Sequence, residues 1–218
     1  MLPVQYGRNE MTVPIYHITN IRNLHSILAR NELLCDNQGK LHGLDIVEIA
    51  YEDLKERRAC TPVPVGNDGC LADYVPFYFA PRSPMLFAIH KGCVVGYDEG
   101  QTKILHLVSS VEEVVRRSRP FVFTDGHPVM MISQFYTNVD DLKEIDWAIM
   151  RARYWADTIE DGDRRRRRQA EFLVHQAFPW DAVREIGVKN EKVKGEVLAN
   201  LEGADYQPSV VVKPDWYY

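Results

Sequence analysis

YVPFYFAPRSPML, residues 74 to 86, is the stretch on which the reading of the fold turns. Tyr74 to Phe79 concentrates aromatic and β-branched residues and reads as a strand. Pro76 lacks an N–H to donate to a ladder, which argues against a central strand there. Two further prolines follow, and Ser83 to His90 reads as one or two helical turns. The strand runs into the helix without G-x-G-x-x-G, which removes a Rossmann dinucleotide fold.

Working outward from this stretch, the pattern stays irregular. On the N-terminal side, VPIYHI (residues 13–18) reads as a strand. Asn20 is placed to cap a helix whose apolar face is Ile21, Leu24, Ile27 and Leu28. Residues 36 to 52 mix Gly, Asn, Asp and His and read as a long loop, the kind that is usually functional. On the C-terminal side, Thr102 to Ser109 alternates as a strand and Val111 to Arg119 reads as a helix. Phe121 to Phe123 and Ala170 to Val174 read as further strands. Asp181 to Gly187 and Glu191 to Ala199 read as helices, and Pro208 to Lys213 as a last strand. Strands and helices without a βαβ rhythm give an α+β fold.

The chain has 218 residues, which suits one domain spanning 1–218, with residues 1–12 as a flexible N-terminal arm. With 45% hydrophobic and 26% charged residues it has the composition of a soluble globular protein. A net charge of -5 gives no general attraction to nucleic acid, so any such binding must come from a local basic patch. Four cysteines, none in a C-x-x-C pair, suit free thiols in a reducing compartment and form no zinc motif, so no metal is expected. There is no signal peptide and no apolar run long enough for a membrane, so a cytoplasmic location is expected. P-loop, zincin and G-x-S-x-G hydrolase motifs are absent.

The residues able to carry chemistry are few. His17 and Thr19, two apart on a strand, point to the same side and can hydrogen-bond one ligand, such as a ribose or an amide. Taken alone, His17 reads as a cap for the next helix. Arg57 and Arg58 suit a phosphate, or form a solvated pair beside Asp53 and Glu56. Arg82-Ser83 suits a phosphate at a helix start or a plain cap. Arg164, Arg165, Arg166, Arg167 and Arg168 form a run of like charges that should resist burial and attract a phosphodiester backbone, with Tyr154 and Trp155 close by to stack on bases. The run leads into Glu171, which taken alone reads as a solvent-facing carboxylate on a half-buried strand.

Four segments, YHITNIRNLHSIL (16–28), LKERRACTPVPVG (54–66), DYVPFYFAPRSPML (73–86) and RRRRRQAEFLVH (164–175), together resemble the DarT family of DNA ADP-ribosyltransferase toxins from DarT–DarG toxin–antitoxin systems. The resemblance spans residues 13 to 215. It implies a split mixed β-sheet, like that of the poly(ADP-ribose) polymerases, with flanking helices and NAD+ as co-substrate in a central cleft. It places His17, Ile18, Thr19, Ser26, Arg58 and Tyr78 against NAD+, and makes Glu171 the catalytic glutamate, assisted by Arg58 or Arg57. The segment before Glu171 would read the substrate. The implied acceptor is a ring nitrogen of thymine in single-stranded DNA, and the implied partner a DarG-like macrodomain antitoxin. Guanine, RNA or protein as acceptor, and a binding module without turnover, are the alternatives.

Overall fold

The computed structural model describes residues 12–218. The expected N-terminal arm therefore lies, save for Thr12, outside the described residues. Ten strands are formed: β1 (Pro14–Asn20), β2 (Glu32–Leu34), β3 (Tyr74–Tyr78), β4 (Ile104–Ser110), β5 (Phe121–Thr124), β6 (Phe135–Tyr136), β7 (Glu171–His175), β8 (Ala177–Pro179), β9 (Glu185–Val188) and β10 (Ser209–Val212). Eight make one sheet in the order β10-β9-β4-β1-β3-β7-β5-β6, while β2 and β8 pair separately. Among the described residues only β9 and β10 run parallel, so the sheet is mixed. The helices are α1 (Leu24–Arg30), α2 (Asp36–Leu41), α3 (Glu52–Cys60), α4 (Pro84–His90), α5 (Val111–Arg116), α6 (Trp147–Arg151), α7 (Arg164–Arg168) and α8 (Glu191–Leu201). One large apolar cluster, with Phe77, Phe123, Phe172 and Trp180 among its buried rings, packs the sheet against α1 and α8.

The sheet splits at its middle. β1 and β4 pair along seven residues, Pro14 opposite Ser110 through Asn20 opposite Ile104. β3 and β7 pair along five, Tyr74 opposite His175 through Tyr78 opposite Glu171. Between them, β1 meets β3 at a single register position, Tyr16 opposite Tyr78. This explains how Pro76 sits in a central strand after all. The N and O of one residue in an antiparallel strand point to the same side. The Pro76 carbonyl faces β1 and accepts from the His17 ring at 2.8 Å, so the missing N–H also falls in the split, where no ladder bond is lost.

Three local expectations change. The helix expected over Asp181–Gly187 is a 3₁₀ turn, Trp180–Ala182, followed by β9. Ile186 and Val188 are fully buried on one face of that strand. Gly187 between them allows the Trp216 ring to lie where a Cβ would come within 2.4 Å of it, the close approach that a strand glycine marks. The long loop expected at residues 36–52 is shorter, because Cys35 caps α2 and only residues 42 to 51 remain irregular. The run of five arginines is a helix, α7, with two of its members buried.

Candidate active site

The split opens into a cleft of about 1010 Å³, at the upper end of the size of ligand pockets, roughly 300–1,000 Å³. His17, Ile18, Thr19, Ser26, Arg57, Arg58, Tyr78 and Glu171 all line it, so the fold brings together residues from four distant segments. β1 supplies His17, Ile18 and Thr19, α1 supplies Ser26, α3 the arginines, β3 Tyr78 and β7 Glu171.

Arg58 and Glu171 meet at its floor. Arg58 Nη1 donates to Glu171 Oε2 at 2.9 Å, and the two residues are 8% and 3% exposed. Burial opposes the Arg58 charge. The Glu171 carboxylate beside it more than offsets this and holds the guanidinium above its ordinary range. Arg58 Nη2 is buried with no partner among the described residues. Arg57 is exposed on the rim, so the two neighbours, equivalent in sequence, differ in space: α3 turns one inward and one outward. Glu171 is seated by its backbone N–H, which donates to Thr124 Oγ1 at 3.2 Å. Tyr78, opposite Glu171 in register, has its hydroxyl pushed well above the usual range by burial and by that carboxylate, so it is a neutral hydrogen-bonding group.

On the β1 side, His17 donates from Nδ1 to a carbonyl, which can only accept, so the neutral ring keeps Nε2 as an acceptor. Burial lowers its pKa, with the Pro76 carbonyl and Asp36 opposing. Thr19 Oγ1 accepts from Asn23 Nδ2 at 3.0 Å. Asn23 also clamps the irregular segment after α2, donating to Val47 O at 3.0 Å and accepting from Val47 N at 2.7 Å. Ser26 Oγ donates to Asn23 O at 2.9 Å.

Two residues lining the cleft escape sequence reasoning. Asn23 carried no signal beyond its place next to a helix start. His127 lies 44 residues before Glu171 in the turn after β5. It lines the cleft, its Nδ1 is buried without a partner among the described residues, and burial lowers its pKa while Glu171 opposes. His-Pro after a Gly in a strand-to-strand turn was its only trace.

The arginine run needs correction, because it does not resist burial. Five consecutive residues on a helix point in five directions, about 100° apart, so they cannot all face one partner. Arg166 and Arg168 are 9% and 4% exposed. Arg166 holds Asp163 through two bonds of 2.7 Å and Asp125 at 3.0 Å. Arg167 pairs with Asp146 at 2.6 Å and with Asp161. Arg164 donates to the carbonyls of Tyr154 and Ala156. Arg168 donates to the carbonyls of Ile149, Met150 and Arg82. Arg165 alone of the five is exposed and lines the cleft. Tyr154 is 79% exposed on the rim. Trp155 is partly enclosed, its indole N–H donating to Tyr218 Oη at 3.2 Å. No group of three His, Cys, Asp or Glu suited to a metal occurs among the described residues.

Comparison with known proteins gives this geometry a family. The family described as DarT, ssDNA thymidine ADP-ribosyltransferase, matches residues 16–218. A DNA ADP-ribosyl transferase of Thermus sp. strain 2.9 is 46% identical, over 94% of this chain and 96% of that protein. The solved structure of Thermus sp. 2.9 DarT with ADP-ribosylated ssDNA superposes with a TM-score of 0.89 at 45% identity, covering 94% of this chain and 96% of that one. The same Thermus protein in complex with NAD+ gives 0.83 at 43% identity, covering 94% and 98%. A DNA ADP-ribosyl transferase–DNA ADP-ribosyl glycohydrolase fusion protein of Thermosipho africanus is 26% identical over 92% of this chain and 48% of the fusion. The chain with the split sheet and the buried Arg58–Glu171 pair belongs to the DarT family, the ssDNA thymidine ADP-ribosyltransferases.

Proposed function

We propose that this protein transfers ADP-ribose from NAD+ to a thymine base of single-stranded DNA, releasing nicotinamide, with Glu171 as the catalytic carboxylate. The observation that carries the site assignment is the Arg58–Glu171 pair, buried at the floor of the cleft. Family membership and the Thermus complexes with NAD+ and with ADP-ribosylated ssDNA support the substrates. The cleft suits a dinucleotide: His17 Nε2, Thr19 and Ser26 offer polar groups along one wall, and Arg58 Nη2 and His127 Nδ1 are buried groups with no partner among the described residues.

The chemistry follows from charge. The bond from ribose C1′ to the nicotinamide nitrogen breaks, and its electron pair leaves with nicotinamide, which becomes neutral. C1′ takes on oxocarbenium character, and the Glu171 carboxylate, holding the ribose 2′-hydroxyl, offsets the positive charge as it develops. The thymine ring nitrogen forms the new bond to C1′ and loses its proton to Glu171. Arg58 holds that carboxylate in place with Nη1 and orients the incoming base with Nη2. Tyr78, kept neutral by its surroundings, packs at the ribose end. A single strand presents its base without the cost of unpairing. Arg165 attracts its backbone and Tyr154 offers a ring for stacking.

The protein acts as a toxin whose mark a macrodomain glycohydrolase partner removes, a reading supported by the fused relative. It works in the cytoplasm, where NAD+ and DNA meet and where its four cysteines, all unpaired, stay reduced. No helix of the described residues is long and apolar enough to cross a membrane. Mass spectrometry of DNA oligonucleotides of varied sequence, RNA and protein, offered side by side with NAD+, tests the assignment. An ADP-ribose adduct on thymine is expected. An adduct on guanine, on RNA or on protein alone would overturn the acceptor, and no adduct on any of them would overturn the activity.

A further inference from the structure

A second cavity, of about 770 Å³, adjoins the catalytic cleft. Arg82 and Arg153 line both spaces, which makes them one continuous surface. Arg151 and Arg168 line the second cavity only, and Asp215 is its one carboxylate. Among the described residues, none of these four arginines forms an ion pair. Arg82 and Arg168 are the more enclosed of the four, and an enclosed cation with no carboxylate paired to it is costly unless an anion joins it.

The two inner arginines are fixed in place. Arg168 is 4% exposed and spends its terminal nitrogens on three backbone carbonyls, one of them that of Arg82. Its Nε is buried with no partner among the described residues, and so is that of Arg82. The Arg82 guanidinium lies 4.4 Å from the centre of the Tyr218 ring, and Tyr218 Oη donates to Arg82 O and accepts from the Trp155 indole N–H. Burial and the Arg82 charge pull Arg168 below its ordinary range, with only Tyr218 opposing. Arg151 and Arg153 are exposed at the mouth. The cavity is close to the reaction: Arg82 is four residues beyond Tyr78, the register partner of Glu171.

We propose that this second cavity is a subsite for one backbone phosphate of the DNA strand, a linkage flanking the modified nucleotide, held by Arg151 with Arg82, Arg153 and Arg168 behind it. The subsite rests on the reading of single-stranded DNA as substrate and adds to it a fixed register. The strand leaves the cleft over Arg82 and Arg153 and anchors one phosphate beyond them. Arg165, which lines the catalytic cleft and not the second cavity, holds the strand elsewhere and gives it a second anchor.

The test is a walk of single neutral methylphosphonate linkages along an oligonucleotide, with the Kd measured by fluorescence anisotropy without NAD+. Wild type and Arg151→Gln are compared; Arg151 is exposed, so the variant folds. In wild type, neutralising one particular flanking linkage should weaken binding about tenfold. In Arg151→Gln that linkage should lose its effect, while other positions behave as in wild type. Equal losses in both proteins at every linkage would overturn the subsite; so would a free anion held there, which gives the same pattern. Adduct formation on the unmodified oligonucleotide, followed in parallel, reports the activity separately, so a failed transfer and a missing subsite are told apart.

Discussion

Glu171 and Arg58 illustrate how far one residue's meaning depends on its partner. In the sequence they are 113 positions apart, and a lone carboxylate on a strand signals nothing. Their pairing changes what a substitution does. Glu171→Ala leaves Arg58 buried and uncompensated, and should cost about 3–5 kcal/mol of stability as well as all transfer. Glu171→Gln keeps the shape and a hydrogen-bond acceptor for Arg58. It should abolish adduct formation while losing far less stability, read as a melting temperature closer to wild type than that of Glu171→Ala. Equal melting temperatures for the two variants would show that the pair does not stabilise the fold. A second residue-scale expectation concerns His106, buried on β4, whose Nε2 donates to Pro81 O at 3.0 Å. Burial pushes its pKa down to about 4. The unfolded ring titrates near 6.5, so between those values the unfolded chain binds the extra proton. Stability is complete above about pH 6.5 and falls toward pH 4, by about 3 kcal/mol from this group. Urea unfolding at pH 7, 5.5 and 4.5 should show a shallower decline in His106→Gln than in wild type.

The elements divide into those that local pattern reveals and those that only packing reveals. β1, β4 and β5 carry β-branched and aromatic residues in register with the sheet and are plain in the sequence. β9 is not, because Pro179-Trp180-Asp181 resembles a helix start and Gly187 resembles a helix end. What makes it a strand is the Trp216 ring, 29 residues later, lying against that glycine. α7 misleads for the same reason. Its charges look free because Asp125 and Asp146, which neutralise Arg166 and Arg167, lie 41 and 21 positions upstream. The cleft residues on β1, α3, β3 and β7 are legible through family resemblance, whereas only the fold brings Asn23 and His127 to the cleft. The helix therefore separates two roles that can be measured. Arg165→Gln should weaken single-stranded DNA binding and lower its log-log salt slope by about 0.7, the share of one phosphate, with an unchanged melting temperature. Arg166→Gln should cost about 1–3 kcal/mol by removing the charge-assisted hydrogen bonds to Asp163 and Asp125. A salt slope that drops as much for Arg166→Gln as for Arg165→Gln would return the whole run to a solvated, DNA-facing role.

Across the whole molecule, the sheet is two four-stranded halves, β10-β9-β4-β1 and β3-β7-β5-β6, that share backbone register at a single position, Tyr16 opposite Tyr78. Backbone hydrogen bonds are the most cooperative bonds a domain has, and along this seam they are nearly absent. The halves should then behave as separate protection units in native-state amide exchange, opening with different free energies. With NAD+ in the proposed site between them, contacts to both walls would tie their openings together. With NAD+ or a non-hydrolysable analogue, amides of β1 and β7 should slow in concert, though they share no ladder. Exchange that is already uniform across the seam without ligand would contradict this. The cleft that makes room for the substrate is also the line of weakness that the substrate mends, so occupancy and rigidity rise together.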